Sequence, residues 1–151
     1  MTKGIHAALL LGAISLAGAA VAETADNGGR KLQTTLTGEA EVTAAGVPNQ
    51  GDLDGTGTAT VTVNPGQGRI CYTIEVAGIQ AATAAHIHEA APTTNGPVVV
   101  PLAAPSDGDS SACVDVDKTL GLEILKDPAD YYVNIHNSEF PAGALRGQLA
   151  K

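Results

Sequence analysis

The chain has 151 residues, of which 44% are hydrophobic, 3% aromatic and 16% charged, with 18 Gly, 8 Pro and no Trp. This supports one domain with a modest core and leaves no room for a second. Eight Lys and Arg against sixteen Asp and Glu give a net charge of -8, so the basic surface that a nucleic-acid or anionic-membrane binder requires is missing.

The first predicted element is a secretory signal over residues 1–22. Lys3 supplies the positive start, Ala7 to Ala17 the apolar stretch, and Ala20-Val21-Ala22 a small-residue cleavage site. The competing reading is a membrane anchor, but spanning takes roughly 20 apolar residues, and this stretch ends in Ala-x-Ala rather than in a basic stop. Cleavage after Ala22 leaves seven basic against sixteen acidic side chains, an acidic secreted or periplasmic chain with no membrane attachment. Residues 23–30 are polar, contain Gly, and read as a flexible lead-in.

From Lys31 the pattern has period two. Leu32, Thr34 and Leu36 alternate with polar neighbours, as later do Ala59, Val61 and Val63, which predicts strands with one dry face. Residues 46–55, rich in Gly, Asp and Asn, read as an open loop, and Asn64-Pro65-Gly66-Gln67-Gly68 as a tight turn into a strand over 69–77. Further strands are predicted at 84–88, 96–102, 111–117, 131–137 and 144–149, about eight in all. A short helix at 120–126, stopped before Pro128, is predicted as a crossover between sheets. The spacing is that of a sandwich or barrel. Cys71 and Cys113 form an even pair, read as a disulfide outside the cytoplasm, with a two-thiolate metal site as the alternative.

Once the signal is removed, the histidines fall in two strands, His86-Ile87-His88 and Tyr131 to His136. Alternation puts His86 and His88 on one face about 6.5 Å apart, and puts Tyr132, Asn134 and His136 together on the more polar face of the second strand. If the strands are neighbours, His86, His88 and His136 make a three-histidine site with open positions, suited to copper or zinc. Copper is the stronger candidate because imidazole affinity peaks there in the divalent series. Glu89 is a weaker fourth candidate, since it faces away from the two histidines. The alternative is that these histidines are surface polar residues only. Arg146 shares a strand face with Gln148; it either draws a small anion toward a metal or ties down the last strand. No phosphate-binding Gly loop and no Gly-x-Ser-x-Gly elbow is present.

His86-Ile87-His88 followed by Asn95-Gly96-Pro97, then Tyr132-Val133-Asn134-Ile135-His136, Pro141-Ala142-Gly143 and Arg146-Gly147-Gln148, closely resembles the CHRD domain, named for its occurrence in chordin. The resemblance covers about residues 31–150. It implies a Greek-key or immunoglobulin-like β-sandwich and maps the family's histidines onto His86, His88 and His136 and its arginine onto Arg146. A looser likeness of pattern is to copper-containing superoxide dismutases, which are also exported sandwiches with a His-x-His strand, a later histidine, one disulfide and a late arginine. Under that likeness the three histidines hold a redox-active copper ion, and Arg146 is the catalytic residue that guides superoxide, the small anion, inward. A non-enzymatic adhesion module with a protein partner and structural histidines is the other function class in view.

Overall fold

The computed structural model describes residues 28–151, so the reading of residues 1–22 as a signal lies outside the described residues. Eight strands form: β1 (Arg30–Thr37), β2 (Thr56–Asn64), β3 (Arg69–Ala77), β4 (Ala82–Glu89), β5 (Val98–Leu102), β6 (Asp109–Asp115), β7 (Tyr131–Asn137) and β8 (Leu145–Gln148). One helix, α1 (Lys118–Lys126), and a single 3-10 turn at Pro128–Asp130 lead from β6 to β7. The helix begins two residues before its predicted start because Asp117 caps it, accepting a hydrogen bond from the Thr119 N–H at 2.7 Å.

All neighbouring strands pair antiparallel, in the order β5-β4-β7-β8-β1-β2-β3-β6. The two halves of this one sheet, β5-β4-β7-β8 and β1-β2-β3-β6, turn their apolar faces to each other. Leu32, Val61, Ile70 and Ile74 of one half and Ala85, Ile87, Val133 and Leu145 of the other lie in a single buried cluster. The period-two residues supply this cluster, as the sequence predicts, and their removal from water is the main favourable term for a chain with so few charges. The expected sandwich is therefore one sheet folded over on itself. The halves join at β8 and β1, where Thr37 pairs with Arg146 and where Gln33 and Ala150 exchange backbone hydrogen bonds of 2.8 and 2.9 Å. The free edges also approach, since the Tyr72 hydroxyl of β3 accepts from the Ala103 N–H at 2.6 Å and Ser110 of β6 donates to the Ala103 carbonyl. As predicted, α1 crosses from one half to the other, and it packs on β2 and β3.

Cys71 and Cys113 sit directly opposite each other on β3 and β6 and form a disulfide that clamps the edge strand. Closing a loop of 42 residues stabilises a domain by roughly 3–4 kcal/mol. This settles the cysteine pair as a cross-link and not a thiolate metal site.

One difference from expectation shapes everything below. Residues 46–55 are largely exposed, as an open loop predicts, but the connection is pinned to the sheet at Gly51 and Asp52. The β1–β2 connection folds back over the outer face of β7 and β8, held by the Asp52 N–H to the Ala144 carbonyl at 2.8 Å and the Gly51 N–H to the Gly38 carbonyl at 3.0 Å. The β4–β5 connection meets it there, Asn95 Nδ2 donating to the Val42 carbonyl at 3.0 Å. The second face of that half is thus roofed by two loops and carries buried polar groups rather than solvated ones.

Candidate metal centre

Side-chain parity and strand order together build the site. Within β4, Ile87 enters the core and His86 and His88 point outward; within β7, Val133 and Ile135 enter the core and Tyr132, Asn134 and His136 point outward. β4 and β7 are direct neighbours, with His86 opposite Asn134, His88 opposite Tyr132, and Ala84 opposite His136. The three histidines predicted from sequence therefore meet. One nitrogen from each lies within 4.8 Å of the others, and all three rings are half-buried.

The rings are also oriented. His88 Nδ1 is 2.9 Å from the Gly96 carbonyl and His136 Nδ1 is 3.1 Å from the Pro141 carbonyl. A carbonyl only accepts, so both Nδ1 atoms carry the proton and both Nε2 atoms are acceptors. His136 Nε2 lies 3.2 Å from His86 Nδ1, and His88 Nε2 is buried with no hydrogen-bond partner among the described residues. Burial, the largest cause in each case, depresses the pKa of all three histidines below the ordinary value. For His86 the neighbouring His136 and His88 add to the depression; for His88 and His136 the carbonyl bonds oppose it. The imidazoles are accordingly neutral at pH 7, the protonation state a metal ligand needs.

Arg146, the other predicted residue, does not join this cluster. It is 1% exposed and stacks on Tyr132, its guanidinium carbon 3.5 Å from the ring centre, while the opposite contact of Tyr132 is a parallel stack on His88 at 4.9 Å. Each of its three nitrogens is engaged: Nη2 reaches the carbonyls of Ala91 at 2.9 Å and Thr94 at 3.0 Å, Nη1 reaches Asn95 Oδ1 at 3.2 Å, and Nε reaches Gln148 Oε1 at 3.3 Å. Among the described residues it makes no salt bridge, so carbonyl dipoles and an aromatic face compensate the buried charge. Burial depresses its pKa, against the raising influence of Tyr132 and Glu41. Glu89, the weak fourth candidate, is exposed at the end of β4 and outside the histidine group.

The chain matches the model of the CHRD domain over residues 32–149. It belongs to the CHRD family. The match covers both histidine strands and the whole roof of the CHRD domain described above, and agrees with the resemblance read from the paired motifs. No curated protein and no solved structure matches the chain.

Three residues of this CHRD domain's site were not singled out from sequence. Glu41 is 3% exposed and accepts a hydrogen bond from Asn134 Nδ2; Asn134 is 2% exposed. Desolvation pushes the Glu41 carboxyl up to about 7, against the lowering influence of Arg146 and Asn134. Tyr132 links Arg146 to His88. The alternation of β7 placed Tyr132 and Asn134 on the histidine face, but Glu41 lies in a connection whose fold no periodicity reports.

Proposed function

We propose that this protein is an exported domain that holds one copper ion through His86, His88 and His136. The observation that carries the reading is the convergence of the three imidazoles, one nitrogen from each within 4.8 Å of the others. Two imidazoles have Nδ1–H tied to backbone carbonyls, the arrangement that fixes tautomer and ring direction in metal sites. His86 Nδ1–H donates to His136 Nε2 at 3.2 Å; loss of that proton leaves one nitrogen of each ring within 4.8 Å of the others, within reach of one ion by metal–nitrogen bonds of about 2.0–2.1 Å after small ring shifts. A buried imidazole nitrogen without a partner, as at His88, is costly in a purely structural histidine. Copper is favoured over zinc by the imidazole set and the divalent affinity order. The disulfide, the CHRD membership and the signal-like start support export. The engaged donors of Arg146 support a positioning role through Tyr132 and His88 over anion guidance, and so support holding the ion over superoxide turnover.

The test is to titrate the oxidised protein with Cu(II) and Zn(II) separately, counting bound metal and recording the copper spin-resonance spectrum. One copper per chain with nitrogen hyperfine structure, lost in His88→Ala and His136→Ala variants that retain the wild-type melting curve, is expected. No stoichiometric binding would return the histidines to packing residues and leave the interaction-module reading.

A more delicate variant reports on the carbonyl that aims His88. A Cβ on Gly96 would collide with the Glu89 backbone carbonyl, so Gly96→Ala must shift the Gly96 carbonyl that accepts from His88. Outer-shell changes of this kind lower metal affinity about 10–100-fold. Isothermal titration of Gly96→Ala should show that drop with stoichiometry unchanged.

A further inference from the structure

Arg146 carries a positive charge into the protein with no carboxylate paired to it. It is 1% exposed, makes no salt bridge among the described residues, and spends its nitrogens on neutral acceptors, the Ala91 and Thr94 carbonyls, Asn95 Oδ1 and Gln148 Oε1. Such dipoles lower the cost of burying the guanidinium and leave its net charge in place. That charge stands beside the histidines. Its carbon lies 3.5 Å from the centre of the Tyr132 ring, and Tyr132 stacks in turn on His88, with 4.9 Å between ring centres and the planes 8° from parallel. The His88 pKa is lowered by burial and, against the raising bond to Gly96, by the Arg146 charge. The field of the guanidinium therefore reaches the imidazole across the tyrosine.

Nothing within the cluster offsets it. Among the described residues the group consists of three half-buried imidazoles and no carboxylate. Glu41 is the acid coupled to Arg146, and it is buried against Asn134, outside the group. Imidazole binds copper in either oxidation state, so the donor set leaves the choice to its surroundings. A buried cation and a low-dielectric shell both work against the ion of higher charge. A unit charge roughly 10 Å from an ion biases its two oxidation states about tenfold at the effective dielectric of a protein.

We propose that the buried Arg146–Tyr132 stack biases the three-histidine site toward cuprous ion, so that the copper held here is Cu(I) rather than Cu(II). The inference rests on the copper reading above and deepens it by naming the oxidation state of the cargo. Tyr132 is the spacer that sets the guanidinium against His88, and Arg146 is a positioning residue whose charge acts on the ion through the field it leaves at that ring. The same repulsion acts on Zn(II), which has no monovalent state to adopt, so the stack separates copper from zinc as well.

The experiment uses the whole disulfide-bonded chain at pH 8. Cu(I) affinity is measured by competition with bicinchoninate under ascorbate, Cu(II) affinity by competition with nitrilotriacetate, and the ratio of the two is the readout. Wild type should exceed the ratio for copper in excess imidazole by at least about tenfold. Arg146→Gln, which is neutral, should give up about tenfold of the wild-type ratio. Arg146→Lys keeps the charge without the fork and should hold the ratio even where both affinities fall, which a purely structural role of the arginine does not allow. Glu41→Gln takes a carboxylate away from the guanidinium and should raise the ratio; it carries the comparison if Arg146→Gln does not fold. A wild-type ratio no higher than that of imidazole, an unchanged ratio in the variant that carries the comparison, or a folded Arg146→Lys that loses the ratio as Arg146→Gln does overturns the cuprous bias and leaves copper binding intact. Failure of wild type to bind copper in either state overturns both.

Discussion

Arg146→Ala should destabilise the domain by about 3–5 kcal/mol, the loss of several charge-assisted hydrogen bonds and an aromatic stack made by one buried side chain rather than the trimming of a surface cation. The side chain is among the largest fully buried ones in the protein, and its removal releases the β4–β5 connection, whose Ala91 and Thr94 carbonyls and Asn95 Oδ1 it holds. Hydrogen bonds from a charged donor contribute about 1.5–3 kcal/mol each, and several are lost together here. Asn95 also anchors the β1–β2 connection through the Val42 carbonyl, so loosening it uncouples both roof loops. The aromatic stack transmits the change to the histidine cluster, since Tyr132 loses its cation and His88 loses a fixed neighbour. Urea denaturation of the metal-free protein measures the first effect and copper titration the second. Arg146→Lys should recover little of either, because a single ammonium cannot reproduce a planar fork that reaches four separate acceptors. A loss below about 1 kcal/mol, the level of an exposed ion pair, would show that the roof does not depend on this residue.

The same residues show how far the sequence could be read. Strand positions and the parity of His86, His88 and His136 are local properties: an alternating pattern states which side chains share a face, and in this chain it stated them correctly. That β4 lies beside β7 is not local. It joins residues 50 apart in the chain, and only the recurrence of paired motifs pointed to it. The surroundings of the cluster were the least legible part. Outward-facing polar residues in a strand read as solvated, and composition, which rightly marks 46–55 as an exposed connection, cannot report that its base at Gly51 and Asp52 closes onto a sheet. Arg146 shows the consequence. Its position on the face of Gln148 was evident, whereas its burial followed from the two loops and not from the strand. Glu41 shows it more sharply: it stands between Ala40 and Val42, outside any period, and the only local sign of its burial is that apolar setting.

Glu41 gives a pH dependence of unusual sign for a carboxylate. Most native carboxylates have lowered pKa values and favour folding as pH rises, but here desolvation lifts the carboxyl from 4.5 to about 7, outweighing Arg146 on β8, Asn134 on β7 and the Val42 backbone. The unfolded chain then ionises first. Below about pH 4.5 the group is protonated in both states and contributes no slope. Between about 4.5 and 7 the folded state holds a proton that the unfolded state has released, so stability falls as pH rises. Above about 7 both forms are ionised and the penalty is complete, about 3 kcal/mol from a shift of this size. The histidines act in the opposite direction, because their depressed values cost stability as pH falls below the ordinary imidazole range. The difference between wild type and Glu41→Gln isolates the carboxyl, since Gln offers an oxygen to Asn134 Nδ2 and cannot ionise. Chemical denaturation of the metal-free proteins across pH 4 to 8 should find Glu41→Gln gaining on wild type steadily from about pH 4.5 and exceeding it by about 3 kcal/mol more at pH 8 than at pH 4. A constant offset between the two curves would mean that Arg146 holds the carboxylate ionised throughout. The roof would then be fastened by a buried ion pair, not by a neutral hydrogen bond.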